Sequence, residues 1–148
     1  MSGTRFEFSG DVEERAGQQF VSGRGRYGDG YTKIHRIEPH GFASQPVKGA
    51  AGLLLSPNGN PDEAYVLGGE SAGLRPNGLP AGGTAIYDHN GNIIKLVGEG
   101  AVFDFGSRTA TFTAGGGWTI NGPVTINGNL DVQGNITCSG SNPNHHTH

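Results

Sequence analysis

Trp118-Thr119-Ile120-Asn121-Gly122-Pro123, Val124-Thr125-Ile126-Asn127-Gly128-Asn129, Leu130-Asp131-Val132-Gln133-Gly134-Asn135 and Ile136-Thr137-Cys138-Ser139-Gly140-Ser141 are four successive hexads in one register. Position one is Trp118, Val124, Leu130 or Ile136, and position three is Ile120, Ile126, Val132 or Cys138. Alternate residues of an extended strand share a face, so these eight apolar side chains line one side. Thr119, Asn121, Thr125, Asn127, Asp131, Gln133, Thr137 and Ser139 point the other way, toward water. Position five is always glycine, which permits a positive φ and a bend every six residues. A fixed period of this kind marks a β-solenoid.

Four hexads are too few for a solenoid built from one chain, because each repeat alone cannot hide its apolar side. Three chains winding about a common axis solve the problem, each supplying one face. The expectation is a homotrimer with cyclic symmetry, in which closure also removes exposed strand edges.

Beyond the hexads lie His145, His146, Thr147 and His148. His146 and His148 are two apart, so on an extended strand their rings lie on the same side, while His145 faces away. Three chains on a three-fold axis would offer six imidazoles, an octahedral nitrogen shell. Zinc prefers four-coordinate tetrahedral sites. Imidazole also suits iron, nickel and copper, with geometry selecting among them. The expected ligands are therefore His146 and His148, and the expected ion is Fe(II), one per trimer, with another octahedral transition metal as the alternative.

Composition agrees with an all-β chain. Glycine is abundant at 28 of 148 residues and only 16% of residues are charged, with aliphatic residues in short runs between turn signals. The net charge of -3 gives no case for nucleic acid or an anionic membrane surface. All ten Lys and Arg residues lie at or before Arg108, and from Thr109 onward the only formal charge is Asp131. An uncharged rod enters a low-dielectric medium at less cost than a charged one. Cys138, at an inward hexad position, reads as a small apolar filler. No signal peptide and no bilayer-spanning apolar stretch is evident, so synthesis in the cytoplasm is expected.

The N-terminal half reads as short strands at Gln19–Ser22, Tyr31–Ile37, Gly49–Leu55, Ala64–Gly68, Thr84–Asp88, Asn92–Val97 and Ala101–Phe105. Asp88-His89-Asn90-Gly91-Asn92 is a hairpin turn. Val12–Phe20 is the one stretch with some helical character. Strands of this number and spacing fit a small Greek-key barrel of the OB type. The expected organisation is an N-terminal arm (1–17), an OB-like barrel (18–108), a Gly-rich connector (109–117) and a C-terminal interwound trimeric β-helix, or β-prism (118–148).

His35-Arg36-Ile37-Glu38-Pro39-His40-Gly41-Phe42-Ala43-Ser44, Gly68-Gly69-Glu70, Leu79-Pro80-Ala81-Gly82-Gly83 and Ala85 through Asn92 resemble the Mu-like phage baseplate assembly protein V family. The hexads and the His-x-His pair resemble the membrane-piercing spike tip of contractile-tail phages. The resemblance covers about residues 30–148. It implies a trimeric spike with an OB-fold collar, a β-helical shaft and an apical iron held by His146 and His148. It also implies a virion-tail location in a phage or phage-like injection machine, a baseplate hub partner, and a target outer membrane that is penetrated rather than used as an anchor. The rival reading is a trimeric tail fibre or adhesin that binds a host surface.

No catalytic or small-molecule site is expected. Gly69-Glu70-Ser71-Ala72-Gly73 spells a nucleophile elbow, but a turn follows where a helix is required. Gly23-Arg24-Gly25-Arg26-Tyr27-Gly28 spells a dinucleotide fingerprint, but a turn and a strand follow. His35, Glu38 and His40 are loosely spaced around Pro39 and read as structural, with half-buried histidines. His89 falls in a turn and is expected in solvent.

Overall fold

The structure is a computed structural model and describes residues 2–25 and 28–140. It divides into two compact units, Met1–Ala110 and Thr111–His148. Strands β1 (Ser2–Arg15), β2 (Gln18–Arg24), β3 (Gly30–Arg36), β4 (Ala51–Ser56) and β5 (Tyr65–Glu70) form a closed barrel in the order β1-β2-β3-β5-β4. Two 3-10 turns, Pro57–Gly59 and Pro61–Glu63, join β4 to β5. β6 (Thr84–Tyr87), β7 (Ile93–Leu96) and β8 (Ala101–Asp104) form a separate three-stranded antiparallel sheet. All seven anticipated strands are present within a residue or two of their expected ends, and the described residues contain no α-helix.

The first strand differs from expectation. Residues 2–15 are a barrel strand rather than an arm, and the stretch thought helical at Val12–Phe20 is a β-hairpin. Ala16 and Gly17, at φ 51° and 77°, make its two-residue turn, the geometry that matches strand twist. β1 pairs with β4 through Ser2–Glu7 and with β2 through Glu7–Arg15. The register shift between Phe8 and Val12 contains Gly10, at φ 95°. A bulge bends its strand and lets it change partners. β3 and β5 meet in parallel through His35–Tyr65 and Arg36–Val66, which closes the ring.

The barrel interior holds Phe6, Phe8, Val21, Ala50, Leu54, Ala64 and Val66, with Val12, Tyr31 and Ile34 packed against them. Phe6 and Phe8 alternate onto one face of β1 and meet edge to face at 5.1 Å. Room for both rings comes from glycine. A Cβ on Gly23 would lie 2.6 Å from the Phe6 ring, and one on Gly52 would lie 2.8 Å from the Phe8 ring.

Arg36 stands opposite the core residue Val66 on the β3–β5 seam and is only 9% exposed. Its Nε donates to the Gly68 carbonyl at 2.8 Å, Nη1 to Gln19 Oε1 at 2.9 Å and to the Ser44 carbonyl at 2.8 Å, and Nη2 to Ser44 Oγ at 3.0 Å. Glu38 supplies the counter-charge and also accepts from the Ser44 amide. One guanidinium thus ties β2, β3, β5 and the 37–50 loop together. A buried charge costs stability unless it is paired and fully hydrogen-bonded, and this one is.

Arg36→Ala should destabilise the barrel by about 3 kcal/mol, since it leaves Glu38 and several buried acceptors unpaired. Chemical denaturation of the wild-type and variant chains measures it. A loss within the range of an exposed salt bridge, under about 1 kcal/mol, would show that the network holds nothing.

Candidate functional site

The histidine and serine motifs resolve into structural parts. His35 is half-buried between Phe20 and Tyr65, with ring centroids 5.4 Å and 5.9 Å away. Glu38 is committed to Arg36. His40 is exposed rather than half-buried, so the structure does not bring it to His35 as a pair. His89 is exposed in its turn, as its sequence context predicts. Ser71 follows β5 and opens a turn in which the Leu74 and Arg75 amides donate to its carbonyl, so no helix stands behind it. Ser71, Asp88 and His89 line the same open cleft, yet among the described residues no hydrogen bond joins Ser71 to His89. The Gly28 amide donates to the Gly25 carbonyl just before β3, and among the described residues no α-helix follows as a phosphate loop requires.

Asp88 has a different task. Its carboxylate accepts from the Asn92 side chain at 2.7 Å and from the Asn90 and Asn92 amides at 2.9 Å and 3.0 Å, fixing the β6–β7 turn. Those bonds, led by the one from the Asn92 side chain, hold its pKa below the ordinary aspartate value. Lys33 likewise lowers Glu13 through a 3.0 Å ion pair on the barrel surface.

The hexad segment is the unusual surface. From residue 109 to 140 the single chain has no regular strand, and nearly every side chain is exposed. Exposure of the odd-position residues runs from 42% at Val132 to 65% at Ile136, with Trp118, Ile120, Val124, Ile126 and Leu130 between. Cys138 is also exposed. Phe112 stands edge-on to Trp118 at 5.0 Å, so the apolar stripe reaches back into the Gly-rich connector. Gly122 and Gly128 adopt φ 138° and 145°, as the corner positions require, whereas Gly134 and Gly140 lie outside the positive-φ range. Soluble chains rarely leave so large a contiguous apolar surface open unless another surface covers it.

His145, His146 and His148 lie outside the described residues. Among the described residues no group of three or more His, Cys, Asp or Glu side chains is placed to hold a metal, and no helix is long and apolar enough to cross a membrane.

Residues 10–72, most of the barrel, match the family described as Bacteriophage Mu Gp45, N-terminal. Over this segment the chain is similar to the Mu-like phage baseplate proteins. No curated protein matches the chain. The family supports a structural role in the phage tail, a virion-tail location and association with other baseplate components. The match covers the second half of β1 and all of β2, β3, β4 and β5, including every residue of the Arg36 network, and it ends before β6.

Asp88 should titrate below the ordinary aspartate range in carboxyl-detected NMR. Its folded pKa is lowered, so its contribution to the β6–β7 turn is complete above the unfolded value of about 3.9 and is lost as pH falls through the folded value. Asn92→Ala should move the titration back upward. An unchanged titration in that variant would remove the side-chain bond as the cause.

Proposed function

We propose that the chain is the central spike of a contractile-tail baseplate, or of a related injection machine, and that it breaches the outer membrane of the target cell mechanically. The observation that carries this reading is the exposed hexad face, which follows a baseplate-family barrel in the same chain. Three copies bring Trp118, Val124, Leu130 and Ile136 and their position-three neighbours onto one axis, removing from water a surface that one chain leaves open. The polar even positions then form the outside. The barrels attach the three chains to a baseplate hub. The shaft transmits axial force from the contracting tail, and its near-absence of charge lowers the cost of entering the bilayer. The protein makes and breaks no covalent bond.

His146 and His148 from three chains would supply six neutral imidazoles to one ion, iron(II) by donor type and coordination number. The ion would act as a cross-link at the tip, and the hexads rather than the metal would hold the trimer.

Light scattering should report a trimer at micromolar concentration. Ile126→Asp should weaken it far more than Thr125→Asp, because the first places a carboxylate on the axis and the second places one in water. A monomeric wild-type chain, or equal effects from the two substitutions, would overturn the trimer or its register.

Native mass spectrometry should find one metal ion per three chains in protein prepared without a tag. His146→Ala or His148→Ala should each abolish it, and His145→Ala should not. Since imidazole binds metal in its neutral form, mild acid should release the ion as pH falls below about 6.5. An ion retained in both ligand variants would place the site elsewhere.

A further inference from the structure

Asparagine followed by glycine occurs five times in the chain, at Asn58, Asn77, Asn90, Asn121 and Asn127. In such a pair the glycine amide nitrogen can attack the asparagine Cγ, because no Cβ on the glycine stands in the way. The attack needs an open side chain and a peptide plane free to turn. Asn121 and Asn127 meet both conditions. They are the outward position-four residues of the first two hexads, and both are exposed. A Cβ on Gly122 or Gly128 would meet no atom within 4 Å, and among the described residues neither glycine amide enters a backbone hydrogen bond. Asn90, by contrast, is held from both sides. Its amide donates to Asp88 Oδ1 at 2.9 Å, and its carbonyl, which must swing for the ring to close, accepts from Arg108 Nη2. Asn58 lies in a turn closed by the 3.0 Å bond from the Asn60 amide to the Pro57 carbonyl. Asn77 is exposed in the loop before β6, where among the described residues no backbone bond spans it. The last two hexads carry Gln133, whose side chain donates to Asp131 at 2.8 Å, and Ser139 in place of asparagine.

We propose that Asn121 and Asn127 are sites of spontaneous deamidation in the unassembled chain, and that assembly of the shaft arrests the reaction. The arrest rests on the trimer proposed above; the chemistry does not. The glycine nitrogen bonds to the asparagine Cγ, the Cγ–Nδ2 bond breaks, and ammonia leaves with the proton that the glycine amide gives up. Water then opens the cyclic imide at either carbonyl. One route yields aspartate and the other isoaspartate, whose main chain runs through the side-chain methylene. Water is the only co-reactant, and nothing is oxidised or reduced. Either product puts a carboxylate on a segment whose only formal charge is Asp131. Isoaspartate also lengthens the backbone, so the residues beyond it lose the alternation that keeps positions one and three on one side. In the proposed shaft, pairing between chains fixes the peptide planes at these corners, as Asp88 and Arg108 fix the one after Asn90. A chain that waits too long for its partners thereby loses the register needed to join them, and the first two hexads set a time limit on assembly.

Peptide mapping by mass spectrometry, after incubation of the full chain at neutral pH, tests this, with light scattering reporting the assembly state of each sample. The wild-type chain is compared with a Leu130→Asp, Ile136→Asp double variant, which puts carboxylates on the axis away from both asparagines. Asn77 and Asn90 are internal controls in the same chain. In the separated variant Asn121 and Asn127 should convert about as fast as Asn77 and several-fold faster than Asn90. In the wild-type trimer they should fall to the rate of Asn90, while Asn77 is unaffected. Asn121→Gln combined with Asn127→Gln should lengthen the time for which dissociated chains can reassemble, since glutamine must close a larger ring and reacts far more slowly. Hexad asparagines that convert no faster than Asn90 in separated chains overturn the proposal. Equal conversion in trimer and variant overturns the arrest and the time limit with it. A wild-type chain that is monomeric overturns the trimer and the arrest; Asn121 and Asn127 must then convert in that chain as fast as Asn77, or the modification sites fall too.

Discussion

The barrel depends on a single strand that serves two neighbours. β1 gives its first half to β4 and its second half to β2, and the bend at the Gly10 bulge is what allows both. Without that double pairing the five strands would be an open sheet with two exposed edges. The same strand supplies Phe6 and Phe8, the largest side chains of the interior, and Gly23 and Gly52 leave space for their rings. Closure and core filling are therefore one requirement placed on residues 2–15.

The β3–β5 seam is held by polar as well as apolar contacts. Arg36 occupies an inward position beside Val66, where an aliphatic residue would also be compatible with the register. The guanidinium adds reach. It anchors the 37–50 loop through Ser44 and β5 through Gly68, which an aliphatic side chain cannot do. A loop fixed in this way gives the barrel a defined outer surface.

The second half of the chain reverses the balance. The β6–β8 sheet and the hexads leave many apolar side chains exposed, and they carry few charges. A surface of that kind is unfavourable for an isolated chain and suited to symmetric assembly. It explains how one polypeptide can pair a conventionally folded barrel with a segment that has no regular secondary structure of its own.

The sequence by itself determined what is local. Turn chemistry at Asp88–Asn92, glycine and proline punctuation, and alternation located seven strands, and the hexad register separated eight apolar positions from their polar neighbours. Rejection of the serine and glycine motifs also followed from local context, because each needed a helix that the next residues could not form. Only the tertiary structure decided what depends on partners distant in sequence. β1 looked like an arm because its alternation is broken by Gly10, and its strand character becomes evident only when β2 and β4 lie beside it. Arg36 gave no sign of burial, since its acceptors come from residues 19, 38, 44 and 68. The sheet of β6–β8 could be read as strands but not as a separate sheet, because which strands pair is set by long-range register. Alternation along a strand says which residues share a side; only the fold says which side meets the core, which meets water and which remains open for another chain.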